Sequence, residues 1–354
     1  MSIRSLPFAW GGPCMRGRLR AVPEDFEVEE IPGFEPTGEG EHHWLWIEKR
    51  EANTEWVARQ IATFANVQQV DVGFAGRKDR HAVTRQSFTV RLPRRAEPDW
   101  MAFAPEGVRV LSHTRHARKL PRGALAGNRF CLRVRDFVGD HDGALARLAQ
   151  ISAHGMPNYF GEQRFGRDGG NLPAAAAMFA GQRVRRDQRN LLLSAARSEI
   201  FNAVLGDRVA QGTWRCGLEG EVWQLDGTGS IFGPEPITDE ISQRLDSGDI
   251  HPTGPLWGRG ALRSTAEVAR IEEQWASAQQ PLAQGLEAAD VAMQRRALRV
   301  LPRDATIAAD GDDLVLRFVL PSGSYATCLL RELITPTDGS PGVISGYGLA
   351  ESED

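Results

Sequence analysis

The sequence of 354 residues is poor in cysteine and has no motif that would organise a metal site. The 4 cysteines, Cys14, Cys131, Cys216 and Cys328, lie far apart and form no C-x-x-C pair. This spacing excludes a zinc knuckle and a disulfide framework, and it suits a reducing compartment. Neither H-E-x-x-H nor the H-x-E and P-C-x-x-C pair of zinc deaminases occurs, so no metal site is predicted.

The sequence also lacks long apolar runs and an excess of positive charge. Because no run is long enough to cross a bilayer and the N-terminus has no apolar signal segment, we expect a cytoplasmic protein with no membrane contact. The formal net charge of -4 argues against nucleic-acid binding by bulk charge. Basic residues are clustered, however, at 77–80, 115–119 and 183–189, so a basic face for RNA is still possible.

The order of strand and helix patterns predicts a mixed fold. Alternating apolar residues predict strands in the first part, and a helix is predicted behind Asn53 and Thr54. After Gly155, the pattern predicts helices, and strands return near the end before a last helix. The predicted strands are 18–22, 26–31, 44–47, 70–74, 88–92, 130–134 and 306–320. The predicted helices are 189–208, 236–245, 265–278, 286–298 and 326–333. This order fits an α/β (α+β) core with a mostly helical insertion, and two tandem domains fit it nearly as well.

Asp79 is a single carboxylate among cations, in the segment Gly76-Arg77-Lys78-Asp79-Arg80. The segment lies between two predicted strands, so we expect a loop outside the hydrophobic core. Surrounding positive charge favours the ionised carboxylate that a nucleophile or a base requires. On pattern alone, a solvated turn is the alternative interpretation.

Three other segments combine residue types that suit RNA. Asn128 follows a basic loop and offers an amide for hydrogen bonding, and Tyr325 follows a turn that enters a helix. The segment Pro157-Asn158-Tyr159-Phe160-Gly161 mixes rings and amides, as proteins that bind unpaired RNA do. A basic loop, a core tyrosine and an interdomain turn are the structural alternatives. Gly161 and Gly166 have P-loop spacing, but Arg167-Asp168 replaces the Lys-Ser/Thr pair, which excludes a nucleotide cofactor.

Together, and in this order, the segments resemble the TruD family of tRNA pseudouridine synthases. The resemblance covers nearly the whole chain, and its most specific parts are the Lys-Asp and Pro-Asn-Tyr-Phe-Gly segments. The segments that carry it are 23–30, 38–42, 53–54, 75–79, 127–128, 157–161, 193–198, 201–202 and 324–327.

This resemblance implies a fold and a division into domains. The fold is a pseudouridine-synthase catalytic core that is interrupted by a mostly helical inserted TRUD domain. The core would comprise residues 1–154 and 300–354, and the inserted domain would comprise residues 155–299. The change from strand to helix patterns near Gly155 agrees with this division.

The resemblance also implies a substrate and a set of site residues. The substrate is tRNA, with uridine-13 in the D arm as the target, and the protein would be a monomer that needs no cofactor. In relatives, Lys is common at the position of Arg20 and Phe at that of Tyr325. The implied residues are the catalytic Asp79, the substrate-binding Phe26, Asn128 and Tyr325, and Arg20 and Lys78 in support of the aspartate.

The chemistry of uridine isomerisation suits these residue types. The base is detached at its glycosidic bond, turned and rejoined through C5, so no atoms are gained or lost. A carboxylate can attack C1′, stabilise an oxocarbenium-like centre or remove the C2′ proton, and the sequence leaves all three routes open. The alternatives are a non-catalytic RNA-binding protein and a glycosidase. The first is disfavoured by the retained Lys78-Asp79, and the second normally needs two working carboxylates.

Overall fold

The computed structural model describes residues 5–92 and 97–337 of the chain. Contacts within the chain divide it into two compact units. The first, here called the sheet unit, contains Met15–His141, Pro302–Ser324 and the described part of Ile334–Asp354. The second, the helical unit, contains Asp142–Leu301, Tyr325–Leu333 and the described part of Met1–Cys14. These boundaries lie a little before Gly155 and just after Arg299.

The sheet unit is built on one mixed sheet. Within the described residues the sheet has 10 strands, with the central order β14-β15-β7-β2-β5-β3-β6. β1 pairs with β7 and β16, and β4 pairs with β5; the β2–β5 and β1–β16 pairs are parallel. The strands are β1 (Met15–Leu19), β2 (Phe26–Pro32), β3 (His42–Arg50), β4 (Val72–Phe74), β5 (Val83–Arg91), β6 (Val108–His116), β7 (Leu125–Gly139), β14 (Arg303–Asp310), β15 (Asp313–Pro321) and β16 (Ile334–Pro336).

One helix, α1 (Thr54–Phe64), covers part of this sheet. Its Val57 and Ile61 are fully buried against the inward-facing side chains of β3 and β5, including Ile47 and Phe88. The sequence predicted this helix. Burial of such apolar side chains contributes about 1.5–3 kcal/mol each, so this cluster holds the sheet unit together around the central strands.

The helical unit combines helices with two small sheets. Its helices are α2 (His141–His154), which begins at the unit boundary, α3 (Asn171–Phe179), α4 (Arg186–Ala210), α5 (Asp239–Asp246), α6 (Ala266–Ala278), α7 (Gln280–Ala288) and α8 (Ala326–Leu333). The strands β9 (Trp223–Leu225), β10 (Ile231–Phe232), β11 (Ile250–Leu256) and β12 (Gln294–Ala297) form one sheet, and β8 (Met156–Pro157) pairs with β13 (Arg299–Val300).

Two features of the helical unit differ from the sequence predictions. The helix predicted over residues 286–298 is wrong: α7 ends at Ala288, and Gln294–Ala297 is the strand β12, paired with β11. α7 begins early because Pro281 occupies its first turn, where proline is well tolerated. The sheet of β9 to β12 was not predicted, because its strands are short and β11 contains Pro252, Gly254 and Pro255, which are poor strand formers.

The mixed fold class is confirmed by the large sheet and the helices around α4. None of the helices in residues 5–92 and 97–337 is long and apolar enough to cross a membrane.

Candidate active site

Asp79 lies in the loop between β4 and β5, and its side chain is buried there, whereas Arg77 and Arg80 of the same loop are exposed. The Asp79 side chain is 5% exposed, and its Oδ2 accepts a hydrogen bond from Arg20 Nη2 at 2.9 Å. The Arg20 side chain is 1% exposed, so the ion pair is shielded from water. The expectation of a loop outside the core is therefore wrong at this position. Low local dielectric strengthens the attraction between the two charges and fixes the direction of the carboxylate.

Arg20 reaches Asp79 because the chain turns sharply after β1. The predicted strand 18–22 ends at Leu19, since Arg20 has a φ of 56°, in the left-handed region that non-glycine residues rarely adopt. The Arg20 guanidinium also lies over the ring of Phe26, with 3.7 Å between its central carbon and the ring centroid. The interaction of a buried cation with an aromatic ring is worth about 2 kcal/mol. Phe26 thus supports the cation that binds Asp79.

The resemblance implies that Lys78 supports Asp79, but the Lys78 side chain binds Glu30 instead. Its Nζ lies 2.8 Å from Oε2 of Glu30, and both side chains are buried. The other Glu30 oxygen, Oε1, accepts the backbone N–H of Ser87 at 3.1 Å. Both oxygens of Glu30 are therefore engaged, which leaves it poorly suited to be the second working carboxylate of a glycosidase.

Hydrogen bonds also hold the backbone of the Asp79 loop. The N–H of Lys78 donates to Thr54 Oγ1 at 2.9 Å, and the Thr54 hydroxyl donates to Gln86 Oε1 at 2.9 Å. Gln86 Nε2 then donates to the carbonyl of Gly76 at 3.0 Å. Thr54 opens α1, and the preceding Asn53 makes no side-chain cap. The Thr54 hydroxyl therefore ties α1 to the loop.

Sequence reasoning missed Glu30, Thr54 and Gln86 as parts of this network. A signal for Glu30 was present, because it shares the inward face of β2 with Phe26 and Val28. A charged residue at an inward position of an alternating strand is rarely buried without a partner. The alternation of apolar residues in β2 thus contained the information that Glu30 needs a buried cation.

Asn128 lies on β7, directly opposite Glu30 in the register of β2 and β7. Its side chain is buried, and within the described residues its Oδ1 has no hydrogen-bond partner. A buried amide oxygen without a donor costs about 1–3 kcal/mol, so this atom is suited to accept a hydrogen bond from a ligand. Arg20, Phe26, Asp79, Lys78 and Asn128 thus belong to one connected part of the sheet unit.

Tyr325 belongs to the helical unit, where it directly precedes α8. Its ring packs edge-on against Phe160 with centroids 6.0 Å apart, and its hydroxyl accepts a hydrogen bond from Arg164 Nε at 3.3 Å. A Cβ on Gly161 would lie 2.8 Å from the Tyr325 ring, so this glycine permits the packing. Tyr325 is buried, and its position in the helical unit is fixed by these neighbours.

The Pro-Asn-Tyr-Phe-Gly segment is buried in the helical unit. Burial raises the pKa of Tyr159, whose hydroxyl donates to the carbonyl of Pro7 at 3.4 Å. Asn202 binds both the N–H and the carbonyl of Phe160. The Arg296 guanidinium lies 4.2 Å from the Phe160 ring centroid, and burial lowers the pKa of Arg296 to about 10. The role of Tyr159 and Phe160 in this structure is therefore packing within the helical unit.

Two histidines of the sheet unit, His43 and His116, pack against aromatic rings. Trp100 Nε1 donates to His43 Nδ1 at 3.0 Å, and burial is the main cause that lowers the pKa of His43. His116 lies between the rings of Phe34 and Trp44, and burial lowers its pKa as well. Among the residues that the structure describes, no group of three or more His, Cys, Asp or Glu side chains could hold a metal ion.

Comparison with known proteins gives one consistent result. The family described as "TruD: tRNA pseudouridine synthase D (TruD)" matches residues 3–172 and 174–333. The chain belongs to the TruD family. It is 50% identical over 344 residues to "tRNA pseudouridine synthase D" of Xanthomonas campestris pv. campestris (strain B100), covering 93% of this chain and 94% of that protein. It is 48% identical over 332 residues to the protein of that name from Methylococcus capsulatus, covering 93% and 94%.

A solved structure supports the fold. The crystal structure titled as the putative tRNA pseudouridine synthase D (TruD) from Methanosarcina mazei superposes with a TM-score of 0.70. The match covers 92% of this chain and 95% of that one, at 21% sequence identity. The shared fold thus extends over both units of the TruD family chain described here.

Proposed function

We propose that the protein converts uridine-13 in the D arm of tRNA to pseudouridine, by base flipping and with Asp79 as the catalytic carboxylate. Membership of the TruD family makes the chain a tRNA pseudouridine synthase, an isomerase that converts uridine to pseudouridine. The observation that carries the assignment of Asp79 is its buried ion pair with Arg20. A buried carboxylate with a fixed direction and a fixed charge can act on the ribose while the glycosidic bond breaks.

The neighbours of Asp79 support a pocket for a flipped base. A target base inside a helix must leave its stack before an enzyme can reach it. The buried Oδ1 of Asn128 would accept the N3–H of the uracil ring, which is a donor in uridine. We assign Phe26 and Tyr325 to substrate binding, since stacking on aromatic rings is the usual way in which proteins bind an unpaired base.

We extend the proposal to the organisation of the protein. Residues 1–154 and 300–354 would form the catalytic core, and residues 155–299 would form the inserted domain of the family. Arg20 would hold Asp79, while Lys78 would support it through the loop backbone by its ion pair with Glu30. The enzyme would act as a monomer in the cytoplasm and without a cofactor.

The direct test is incubation of the protein with an unmodified tRNA transcript, followed by mapping of pseudouridine at each position. We expect pseudouridine at position 13 and nowhere else, and no product from a transcript with cytidine at that position. Pseudouridine at a different position would disprove the proposed target. No pseudouridine with a folded protein and an intact transcript would disprove the activity itself.

A further inference from the structure

Lys49 is a fully buried lysine on β3, beneath the Asp79 loop. Its Nζ donates to the carbonyl oxygen of Asp79 at 2.7 Å and to that of Ala52 at 2.7 Å. A third and longer hydrogen bond of 3.4 Å reaches the carbonyl oxygen of Lys78. An ammonium group has three N–H donors, so each donor meets one carbonyl.

A charged lysine is energetically unfavourable at this buried position. Burial of a charged group is unfavourable unless its partners compensate, and within the described residues Lys49 has no carboxylate within ion-pair distance. Burial lowers the pKa of Lys49 to about 7, with attraction to Asp79 opposing this shift and repulsion by Lys78 adding to it. A methionine or a leucine would fill a similar volume without this cost, so packing alone does not account for a lysine here.

The three carbonyls belong to two segments of the chain. Ala52 lies just before α1, and Lys78 and Asp79 lie in the loop between β4 and β5. Lys49 therefore joins the start of α1 to the loop from below. The Asp79 residue is then held at both ends, because Lys49 binds its backbone carbonyl while Arg20 binds its carboxylate.

We propose that Lys49 is a positioning residue, which fixes the direction of the Asp79 carboxylate by binding the backbone of the Asp79 loop. This proposal rests on the function proposed for Asp79. Catalytic geometry is sensitive to small displacements, and a shift of about 1 Å can lower a rate 10²-fold. Without Lys49, the carbonyls of Asp79 and Lys78 would lose their donor, and the loop would rearrange to satisfy them.

The test uses Lys49→Met, which removes the donors, and Lys49→Gln, which keeps a neutral amide with two N–H donors. Single-turnover pseudouridine formation is measured at saturating tRNA and reported per folded molecule, beside the Kd for tRNA. We expect Lys49→Met to react about 10²-fold more slowly, with a Kd within about 2-fold of the wild type. Lys49→Gln should fall between the two, because it restores part of the hydrogen bonding.

Two further variants separate the possible outcomes. Arg208→Met removes another buried cation, in the helical unit, where it binds Glu221 and the carbonyls of Thr213 and Cys216. Its rate per folded molecule should equal that of the wild type, even if it is less stable.

Asp79→Asn tests the proposed function by itself. If Asp79→Asn is inactive while either folded Lys49 variant reacts at the wild-type rate, the proposal for Lys49 is overturned and that for Asp79 stands. If Asp79→Asn is active, both are overturned. Lys49→Gln decides the matter should Lys49→Met fail to fold.

Discussion

Asp79 is a buried carboxylate whose direction is fixed by its ion pair with Arg20. A carboxylate is rarely buried without a cation, and Arg20 supplies one at 2.9 Å. Arg20 in turn adopts an unfavourable backbone conformation and stacks on Phe26. A strained backbone that is held in place by well-packed neighbours is characteristic of functional sites. The positive φ of Arg20 and its contact with Phe26 distinguish the Asp79 ion pair from the buried Lys78–Glu30 pair.

The first prediction concerns the charge of Asp79. Asp79→Asn preserves the size of the side chain but removes its charge and nucleophilicity, so single-turnover pseudouridine formation should fall at least about 10³-fold, or roughly 4 kcal/mol of barrier. The affinity for tRNA should stay within about 2-fold, because no phosphate contact is lost. The neighbouring Arg80→Gln is the matched control, since Arg80 is exposed, and it should react at the wild-type rate.

The buried ion pair adds a stability effect to this variant. Removal of one partner of a buried pair leaves the other charge poorly compensated, which can cost about 3–5 kcal/mol. We therefore expect a lower melting temperature for Asp79→Asn, and activity has to be expressed per folded molecule. Full activity in the folded variant would contradict the catalytic assignment. Equal losses of tRNA binding and activity would instead indicate a structural role.

The second prediction concerns the pH dependence of stability at Lys49. The pKa of Lys49 is about 7 in the folded protein, below its ordinary value of 10.5. Between these two values the unfolded chain binds a proton that the folded chain has released, so the free energy of unfolding rises with pH. The free energy of unfolding of the wild type, relative to that of Lys49→Met, should therefore rise by on the order of 1 to 2 kcal/mol between pH 7 and pH 9.

Urea unfolding of both proteins at the two pH values measures this difference, because titration of all other groups cancels in the comparison. A difference in stability that is the same at pH 7 and pH 9 would show that Lys49 keeps an ordinary pKa in the folded protein. A wild type that loses stability relative to Lys49→Met as the pH rises would contradict the burial of its ammonium group.

Among the secondary-structure elements, the prediction of α8 succeeded and that of the helix 286–298 failed, and the reason is physical. α8 has a clear apolar face of Leu329, Leu330 and Leu333, and the structure confirms its predicted bounds. The strand β12 consists of Gln294-Arg295-Arg296-Ala297, which has no strand-like composition. It is extended because it pairs with β11 and because Arg295 binds the buried Glu272, and neither contact is visible in local sequence.

The candidate site shows the same division between local and tertiary information. Asp79, Phe26, Asn128 and Tyr325 could be named from short segments that resemble a family. The burial of Asp79 could not be predicted, because residues 76–80 are one glycine and four charged residues, which favour an exposed turn. Glu30, Lys49 and Thr54, from β2, β3 and the start of α1, hold this loop in the conformation that buries Asp79. Such compensation depends on tertiary contacts across the sheet.

The third prediction concerns the turn that enters α8. Tyr325→Ala removes the ring and should reduce turnover by about 10- to 100-fold, in line with the 1–3 kcal/mol that stacking of one base contributes. Tyr325→Phe keeps the ring and loses only the 3.3 Å hydrogen bond from Arg164, so its rate should stay within about 3-fold of the wild type. Single-turnover assays of the two variants compare the ring with the hydroxyl directly. Equal rates for Tyr325→Ala and the wild type would contradict a role of Tyr325 in substrate binding.

At the scale of the whole molecule, an acidic chain with a net charge of -4 has to bind a polyanion. Many of its exposed and half-buried arginines are neutralised by acidic neighbours, as Arg129 is by Glu29 and Arg244 by Asp249. The run from Arg183 to Arg189 has several exposed arginines close together in sequence, ahead of and within the first turn of α4. Local clusters of cations can bind phosphates even when the total charge is negative, because salt screens distant charges.

The fourth prediction therefore concerns the dependence of tRNA affinity on salt. If arginines such as Arg183 and Arg186 bind phosphates, log K should fall steeply with log salt concentration, by about 0.9 for each phosphate contact in duplex regions. Arg183→Ala and Arg186→Ala should each weaken binding and reduce this slope by about 1, whereas Arg244→Ala, whose guanidinium lies 2.6 Å from Asp249, should leave the slope unchanged. Equilibrium binding between about 50 and 200 mM salt measures these slopes.

A wild-type affinity that does not change with salt would exclude a phosphate-binding surface anywhere on the protein. Equal slopes for the wild type and both arginine variants would place the phosphate contacts outside this run.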